Sequence, residues 1–293
     1  MNLEFTDKQK RLRAELRTYF QSFMTPDLRE ELFNPDFVQG REGGGPEWRK
    51  GLQKLGRDGW IGVGWPKEFG GQAMGAVEQY IFTEEVQRSG FPYPFLTIDS
   101  VGPTIARYAN DAMKQEIVPK ILAGEVNICI GYSEPGAGTD LASLKTKAVR
   151  EGEDYIINGQ KIFTSLAHYA DYVWLAARTD HDPSTKKHKG ISMFLIPFNT
   201  PGIDLSPIYT LGGIRTNATY YENVRVPRSC LVGEENQGWQ MITSQLNRER
   251  LALVTHGNIC KIFQGVCEWA AETYLPDKDR LIDQPWVQNN LAR

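Results

Sequence analysis

The sequence predicts an α+β fold in which helices and strands occupy separate parts of the chain. Residues 1–125 carry apolar residues at helical spacing, and residues 126–232 carry short runs rich in β-branched and aromatic side chains. Helical spacing returns over residues 236–273. Helix, then sheet, then helix is typical of an α+β protein with segregated classes. We therefore predict domains at residues 1–125, 126–232 and 233–293.

Composition and charge exclude several classes of function. The chain has 293 residues, with 33 basic and 36 acidic side chains, which leaves a net charge of −3. That balance provides no strong field for a nucleic acid or an anionic membrane. No apolar run approaches the roughly 20 residues that cross a bilayer, and residues 1–10 lack a hydrophobic signal region. We predict a soluble, cytoplasmic protein without a nucleic-acid partner or a membrane span.

Cysteine and histidine positions give no metal site. The four cysteines show no metal-ligand spacing and are too few for a disulfide scaffold, and Cys129 lies in an apolar run that predicts a buried thiol. Residues 180–190 contain two histidines and two aspartates that could suggest metal binding. Lysines between the histidines would repel a cation, and the spacing matches no familiar zinc pattern. We predict an exposed charged loop there.

The N-terminal part predicts a series of helices. Thr6, with Gln9 three positions later, forms a capping-box pattern at the start of the first one. Its apolar face consists of Leu12, Leu16, Tyr19 and Phe20. Proline and glycine within residues 28–50 predict a flexible loop. Further helices are predicted over residues 47–58, 76–89 and 103–122.

The central part predicts six strands and one tight hairpin. Asn158-Gly159 is a strong two-residue hairpin signal. The β-rich runs span residues 127–132, 144–149, 155–162, 172–178, 191–197 and 218–226.

A loop rich in small residues follows the first of these runs. Residues 136–138 are Gly-Ala-Gly, and they lie between Pro135 and a threonine–aspartate pair. Glycine lets another group approach the backbone closely, and proline fixes one dihedral angle. With exposed N–H groups and the hydroxyls of Ser133 and Thr139, such a loop can bind a phosphate or the polar edge of a flat cofactor. The alternative is an ordinary strand-to-strand turn.

An acidic residue interrupts the apolar stripe of the helix that follows the strands. The stripe consists of Trp239, Ile242, Leu246 and Leu253, and Glu249 occupies the position between the last two. None of its neighbours three and four residues away is basic, so the helix offers it no ion pair. A carboxylate desolvated in this way should have a raised pKa, which suits a general base. The alternatives are a rotated helix or an ion pair between Glu249 and an arginine from another segment.

Several motifs, in order along the chain, resemble those of the acyl-CoA dehydrogenase family. Residues 134–140, Glu-Pro-Gly-Ala-Gly-Thr-Asp, resemble the family signature. Matches to the segment before the third helix, to the central hairpin and to the exit from the β domain lie at residues 64–71, 155–165, 223–227 and 231–234. Because the matches cover most of the chain, the sequence is identified as a member of that family. The resemblance implies an N-terminal helical domain, a central β-barrel-like domain and the start of a C-terminal helical bundle.

The resemblance implies an activity, the FAD-dependent α,β-dehydrogenation of an acyl-CoA thioester. In a subgroup that includes isovaleryl-CoA and long-chain dehydrogenases, the glutamate that removes the α-proton lies early in the C-terminal domain, in a Glu-Arg-Leu segment. Glu249-Arg250-Leu251 matches that segment. Glu249 is therefore the implied base, and the flavin N5 atom is the implied hydride acceptor. The glutamate's backbone N–H and a ribityl hydroxyl of the flavin would bind the thioester oxygen.

The resemblance also assigns residues to the cofactor. Those implied at the isoalloxazine edge are Ile130, Tyr132 and Ser133. Those implied near the pyrophosphate or the acyl-CoA are Gly138 and Thr139. A third segment, whose aromatic residue packs on the flavin and whose hydroxyl reaches N5, consists here of Phe163, Thr164 and Ser165. Phe163 stands where tryptophan is common, which leaves its stacking role open.

The implied partners are an acyl-CoA substrate, an electron-transfer flavoprotein or similar acceptor, and the other subunits of a homo- or heterotetramer. The early glutamate and residues 215–217 resemble bacterial enzymes for bulky or branched acyl-CoAs, some of which degrade steroid side chains as heterotetramers. Family members usually continue beyond the length seen here, so a fragment, or a non-catalytic partner subunit, stays open. A related flavin oxidase or monooxygenase is a further hypothesis. A cofactor-free helical scaffold would leave residues 134–140 unexplained.

Overall fold

A computed structural model of the chain describes residues 4–33, 43–211, 213–252, 255–276 and 278–293. Helices precede and follow a central run of strands, as the α+β prediction expects. The helices are α1 (Asp7–Phe23), α2 (Pro26–Phe33), α3 (Pro46–Arg57), α4 (Ala76–Ser89), α5 (Gly102–Tyr108), α6 (Asp111–Leu122), α7 (Gly238–Ala252), α8 (Gly257–Glu272) and α9 (Pro285–Leu291). A π-helix at Leu96–Val101 precedes α5. None of these described helices has the length and apolar character that crossing a bilayer demands.

The strands form one mixed sheet. They are β1 (Ile128–Gly131), β2 (Lys147–Glu151), β3 (Asp154–Lys161), β4 (Tyr172–Arg178), β5 (Ile191–Pro197), β6 (Ile203–Tyr209), β7 (Arg215–Pro227) and β8 (Leu231–Val232). Within the described residues their order is β6-β7-β3-β2-β4-β5-β8, and β1 pairs with β4 in parallel. The six predicted strands are present. Two strands were not predicted: β8 has only two residues, and β6 is a largely exposed edge strand that contains Pro207.

The core of the sheet confirms the prediction for Cys129. Its thiol is fully buried beside Val173 and Leu175, in a cluster that also contains Phe194 and Ile196. Burial raises the pKa of Cys129 far above its usual range, so the thiol stays protonated and behaves as a small apolar side chain.

The hairpin predicted at Asn158-Gly159 is wrong. Both residues lie inside β3, and the strand pairing with β7 shifts register between Ile157 and Gly159, which marks a β-bulge. The turn between β2 and β3 instead uses Gly152, whose φ is +62°. A glycine is needed at 159 for a different reason, because a Cβ there would lie 2.7 Å from the Cα of Thr146. Close backbone approach, and not a turn, explains the Asn-Gly pair.

The flexible loop predicted over residues 28–50 is also wrong where the structure describes it. Helix α2 covers its start and buries Leu28 and Leu32, while α3 begins at Pro46. The Glu31 carboxylate accepts hydrogen bonds from the backbone N–H groups of Glu47 and Trp48, at 2.9 and 2.8 Å. It therefore caps α3 from a distance, which local composition cannot reveal. Residues 34–42 lie outside the described residues.

The remaining helix predictions hold with two breaks, one of which divides the helical run predicted over residues 236–273 into α7 and α8. Thr6 and Gln9 form the predicted capping box, with Leu12, Leu16 and Phe20 buried behind it. The helix predicted over residues 103–122 divides into α5 and α6, because the Asn110 side chain accepts a hydrogen bond from the N–H of Met113 and starts a new helix.

The described chain divides into two compact units. The first consists of residues 4–24, 77–91 and 255–293, and the second of residues 25–76 and 92–252. In the first unit, Glu84 and Glu85 are almost fully buried on α4. Arg13 contacts both oxygens of Glu84 at 3.0 Å, and Arg17 lies 2.7 Å from Glu85. The domains predicted with boundaries at residues 125 and 232 are consecutive in the sequence, whereas these units combine separate segments of the chain. Those domain boundaries stay a prediction.

The bulge at Gly159 generates a stability prediction. Gly159→Ala should lower the free energy of unfolding by about 1–3 kcal/mol, since the added methyl overlaps Thr146. Urea unfolding measures the change. Gly265→Ala is the control, because a Cβ there meets no atom within 4 Å and the glycine lies within α8. An equal effect in both variants would contradict the steric argument.

Candidate functional site

The small-residue loop, residues 132–140, contains a tight turn. The N–H of Ala137 donates to the carbonyl of Glu134 at 3.0 Å, and the N–H of Glu134 donates back to the carbonyl of Ala137 at 2.8 Å. Pro135 and Gly136 lie at the exposed tip. The turn proposed as the alternative is thus present, and it is part of a larger polar arrangement.

The carboxylate of Glu134 holds that turn against the sheet. It accepts hydrogen bonds from the N–H of Lys145 at 2.6 Å, the N–H of Thr146 at 2.9 Å and the ammonium of Lys161 at 2.8 Å. Lys161 is completely buried, and its ammonium also donates to the carbonyl of Tyr132 at 3.1 Å. One buried ion pair therefore fixes the exit of β1, the turn and the residues just before β2.

Burial and pairing oppose each other in this ion pair. Burial alone would raise the pKa of Glu134, but the charge of Lys161 and the hydrogen bonds outweigh it, so that pKa is lowered. Burial lowers the pKa of Lys161 to about 8, against the attraction of Glu134. The pair remains ionised near neutral pH because each charge is the other's main compensation.

Glycines 136 and 138 face open space. A Cβ at Gly136 or Gly138 would meet no atom within 4 Å, and neither residue has a positive φ. Neither the backbone conformation nor the protein's own packing requires glycine there. Thr139, which follows, is exposed. The loop therefore has room for a group from outside the chain to approach its backbone, as the cofactor prediction requires.

The second predicted segment adjoins the first. The N–H of Ile162 donates to the carbonyl of Ser133 at 2.8 Å, so residues 163–165 follow directly from a contact with the loop. Phe163 has a φ of +59° and is 63% exposed. A bulky aromatic residue in the left-handed region is an uncommon, strained arrangement of the kind that marks functional sites.

The two hydroxyls of that segment differ in access. Thr164 is fully buried, and its hydroxyl lies 3.3 Å from that of Thr219 on β7. Ser165 is half-buried, and its hydroxyl lies 3.4 Å from that of Thr216. Ser165 is thus the better placed of the two to reach a bound molecule, while Thr164 fixes the segment to the sheet. Asn217 donates to the Thr164 carbonyl at 3.0 Å and strengthens that attachment.

Glu249 lies on α7 with its carboxylate half-buried. Its Oε2 atom accepts a hydrogen bond from Nε2 of Gln245, one helical turn earlier, at 3.0 Å. Among the residues that the structure describes, no lysine or arginine pairs with it, so the arginine alternative fails there. Burial raises the pKa of Glu249, and the hydrogen bond from Gln245 lowers it by less. The sequence pattern predicted both the raised pKa of Glu249 and its cause, desolvation.

The stripe that predicted Glu249 is only partly right. Ile242 is fully buried, Trp239 and Leu246 are half-buried, and Leu253 lies outside the described residues. The fully buried residue one turn before Glu249 is polar, Gln245. The buried face of α7 therefore includes Gln245, and it is rotated about the helix axis relative to the predicted stripe.

Gln245 connects Glu249 to the loop. Its Oε1 atom accepts a hydrogen bond from the hydroxyl of Tyr132 at 2.9 Å, and its Nε2 atom also contacts the hydroxyl of Ser100. The indole N–H of Trp174 donates to the Tyr132 hydroxyl at 2.8 Å. Tyr132 therefore directs its side chain toward α7 and β4, where the phenol hydroxyl is bonded within the protein.

The predicted residues thus fall into one neighbourhood of the second unit. Tyr132 is linked to Glu249 through Gln245, and Ser133 is linked to the 163–165 segment through Ile162. Ile130 lies on β1, in register with Trp174 of β4. Gly138 and Thr139 lie beyond the turn, on its exposed side.

Several contributing residues escaped the sequence prediction. Gln245 carried a signal, since it lies four residues before Glu249 on the same helical face. Lys161 also carried one, as a lysine that ends a β-rich run. Ser100 and Trp174 carried none, because their roles depend on contacts with Gln245, 145 positions from Ser100, and with Tyr132, 42 positions from Trp174.

Comparison with known proteins shows the family of the chain. Two family models match the chain: "Acyl-CoA dehydrogenase, N-terminal domain" over residues 6–125 and "Acyl-CoA dehydrogenase, middle domain" over residues 129–224. Acyl-CoA dehydrogenase FadE26 of Mycobacterium tuberculosis (strain ATCC 25618 / H37Rv) is 52% identical over 100% of this chain, which covers 73% of that relative. The chain belongs to the acyl-CoA dehydrogenase family. It is accordingly an oxidoreductase of a family whose members depend on FAD.

Solved structures of acyl-CoA dehydrogenases confirm the fold class. A chain in the crystal structure of the ChsE4-ChsE5 complex from Mycobacterium tuberculosis is 50% identical, with a TM-score of 0.86. A chain of the Tcur3481-Tcur3483 steroid ACAD is 46% identical, also with a TM-score of 0.86. This chain is covered completely in both comparisons and covers 73% of each of those chains.

The buried ion pair generates a stability prediction. Lys161→Met should lower the free energy of unfolding by about 3–5 kcal/mol, because it leaves the Glu134 carboxylate buried without its cation. The double variant Glu134→Gln/Lys161→Met should recover most of that loss, since no uncompensated charge remains. Urea unfolding of both variants tests this. A double variant as unstable as the single one would show that the loss comes from packing instead.

Proposed function

We propose that this chain dehydrogenates an acyl-CoA thioester, with Glu249 as the base that takes the α-proton beside a bound FAD. One observation carries the proposal. Glu249 is half-buried, forms no ion pair among the described residues and is hydrogen-bonded into the network that contains Tyr132 of the small-residue loop. A carboxylate in a purely structural role would more often be paired with a cation or fully exposed.

The environment of Glu249 suits a base for a weakly acidic carbon. Desolvation makes the ionised carboxylate less stable and therefore more basic, which favours proton transfer. The Gln245 amide stabilises the same ionised form, so the carboxylate is still available as a base. Burial therefore raises the pKa of Glu249, and the hydrogen bond from Gln245 offsets part of that rise.

The loop and the 163–165 segment have the chemistry to hold the flavin. The backbone of Gly138, the hydroxyls of Ser133, Thr139 and Ser165, and the exposed ring of Phe163 would contact it. Ile130, the Tyr132 backbone and Thr164 would support these contacts. When bound, FAD supplies the acceptor for the β-hydride. The chain's own residues orient the thioester, exclude water and take the proton at Glu249.

One implied contribution of Glu249 does not fit the helix. The resemblance gives its backbone N–H to the thioester oxygen, but Glu249 lies three residues before the end of α7. An N–H at that position belongs to the helical hydrogen-bond pattern and donates to the carbonyl four residues earlier. A donor other than this N–H has to stabilise the enolate charge that develops on the oxygen.

The substrate and partners belong to the same proposal. A bulky acyl-CoA, such as one with a steroid side chain, is supported by the 46% identity to a protein described as a steroid ACAD. Assembly with a second, different subunit is supported by the ChsE4-ChsE5 complex, whose matched chain is 50% identical. An electron-transfer flavoprotein or a similar acceptor would reoxidise the flavin.

Replacing the base should separate chemistry from cofactor binding. Glu249→Gln should keep the flavin absorbance of the purified protein and lose turnover of acyl-CoA to enoyl-CoA by about 10²–10⁴-fold, since the proton acceptor is gone. Enoyl-CoA formation with an artificial electron acceptor measures it. Glu272→Gln is the control, since Glu272 is an exposed glutamate at the end of α8.

The result of this experiment distinguishes the proposed function from its alternatives. Near-normal turnover in Glu249→Gln would assign the base to another residue. A wild-type protein that binds flavin but converts no acyl-CoA would favour a non-catalytic partner subunit. Oxygen consumption in place of acceptor reduction would favour a flavin oxidase or monooxygenase.

The open space at Gly138 gives a binding prediction. Gly138→Ala should leave the melting temperature of the cofactor-free protein unchanged, because the methyl meets no protein atom. It should weaken binding of FAD or of acyl-CoA by about tenfold, or 1.4 kcal/mol, because it obstructs close approach. Titration calorimetry with each ligand measures this. Gly265→Ala, equally open in the structure, should change neither affinity; unchanged affinities in Gly138→Ala would exclude the loop from binding.

A further inference from the structure

We infer that Gln245 is a positioning residue, whose side-chain amide holds the Glu249 carboxylate in place and whose own orientation is fixed by Tyr132 and Trp174. The inference rests on the proposed function, because it gives a supporting residue to the base proposed there. Gln245 is fully buried and lies on α7 one turn before Glu249. Residues four positions apart on a helix are neighbours on the same face.

The amide of Gln245 uses both of its ends. Its Oε1 atom accepts from the Tyr132 hydroxyl at 2.9 Å. Its Nε2 atom carries two hydrogens, one directed to the Ser100 hydroxyl and one to Oε2 of Glu249 at 3.0 Å. A buried amide with partners at both ends has little freedom to rotate, because each bond it broke would leave a polar group buried without compensation.

Trp174 sets the direction of the whole chain of hydrogen bonds. An indole N–H can only donate, so the Tyr132 hydroxyl accepts from Trp174 at 2.8 Å and must use its single hydrogen elsewhere. That hydrogen goes to Gln245, which makes the near end of the amide its oxygen and the far end its NH₂ group. The amide therefore presents a donor, and never an acceptor, to Glu249.

A fixed donor has two effects on a carboxylate. It selects one side-chain orientation of Glu249, since the bond is retained only while Oε2 stays within reach. It also favours the ionised form, because a hydrogen bond to a charged acceptor is stronger than one to a neutral acceptor. Gln245 thus opposes the effect of burial, which favours the protonated form of Glu249.

The network also ties the base to the loop. The carbonyl of Tyr132 accepts from Lys161 at 3.1 Å, and the next carbonyl, of Ser133, accepts from Ile162 at 2.8 Å. The side chain of Tyr132 therefore faces α7 while its backbone belongs to the loop. Through Gln245, the position of Glu249 is set relative to the loop proposed to hold the flavin.

Other titratable groups among the described residues lie on the elements that carry the network. Tyr132 interacts electrostatically with Glu249, but burial raises the pKa of its phenol far above the physiological range, so it stays neutral. Arg248 and Arg250 flank Glu249 on α7 and are exposed. Asp99 adjoins Ser100 on the π-helix, and burial raises its pKa to about 7. A test of Glu249 must separate its titration from that of Asp99.

The kinetic test uses the FAD-loaded protein and a substrate that cannot be oxidised. An acyl-CoA with a quaternary β-carbon has no β-hydrogen, so exchange of its α-deuterium with water reports the base alone. Gln245→Met should slow this exchange about 10–100-fold through misplacement of the carboxylate, with little change in KM. The acid limb of the pH–rate profile for exchange should move to higher pH. Loss of the Gln245 donor raises the pKa of Glu249, and the base must be deprotonated to act.

A second variant covers the case in which Gln245→Met folds poorly. Gln245→Glu keeps the shape and an acceptor for Tyr132, but it places a second carboxylate 3.0 Å from Oε2 of Glu249. Two carboxylates that share a site raise one pKa strongly, so the acid limb should move up by about one pH unit or more. Gln72→Met is the control: Gln72 is half-buried and donates to the Gly59 carbonyl at 2.9 Å, outside the site.

A thermodynamic test needs neither cofactor nor substrate. Because the folded-state pKa of Glu249 is raised, the ionised side chain destabilises the fold, and wild type loses stability relative to Glu249→Gln as pH rises from the unfolded to the folded pKa. The difference between these two proteins cancels the contribution of Asp99. In a Gln245→Met background, the pH at which the difference levels off should be higher.

The outcomes distinguish this inference from the proposed function. If Glu249→Gln still exchanges α-deuterium at the wild-type rate, the proposed function fails, whatever Gln245 does. If Glu249→Gln abolishes exchange while the Gln245 variants keep the acid limb and the levelling-off pH of wild type, Gln245 is only a buried structural residue. Shifts of both to higher pH, absent in Gln72→Met, support the positioning role.

Discussion

The buried ion pair between Glu134 and Lys161 is the constraint on which the rest of the site depends. It joins three pieces of backbone that are separate in the sequence: the exit of β1 with the turn that follows it, the residues just before β2, and the end of β3. Two charges removed from water are costly, and they are tolerated because the pair compensates itself and also bonds the backbone groups of Tyr132, Lys145 and Thr146. A loop of small residues, which would otherwise be mobile, is thereby held in one conformation.

A second set of contacts holds the proposed base, Glu249. Helix α7 contributes Glu249, and the hydrogen bonds that run from Trp174 through Tyr132 to Gln245 end at its carboxylate. Tyr132 belongs to both arrangements, since its carbonyl contacts Lys161 and its phenol contacts Gln245. The site therefore has two supports that meet at one residue. Tyr132, which the family resemblance assigns to the flavin, therefore uses its side chain for contacts within the protein.

Much of the fold follows from local patterns, and the failures have identifiable physical causes. Alternating and apolar runs located six strands, and the capping box located α1. The Asn158-Gly159 signal failed because close packing against Thr146, not a turn, requires the glycine. Glu249 was found as the exception on an apolar face. Gln245 was not found, although it lies four residues before Glu249, because its other two partners come from distant segments. The cofactor residues came from the family motifs, and periodicity alone would have left them as a turn.

The first unit is assembled from the two ends of the chain and one helix between them. Glu84 on α4 is bound by Arg13 of α1 and also lies 3.3 Å from His256, just before α8. During synthesis on the ribosome, α1 and α4 emerge long before His256 does. Glu84 therefore waits for its second partner while all the strands of the second unit, β1 to β8, are synthesised.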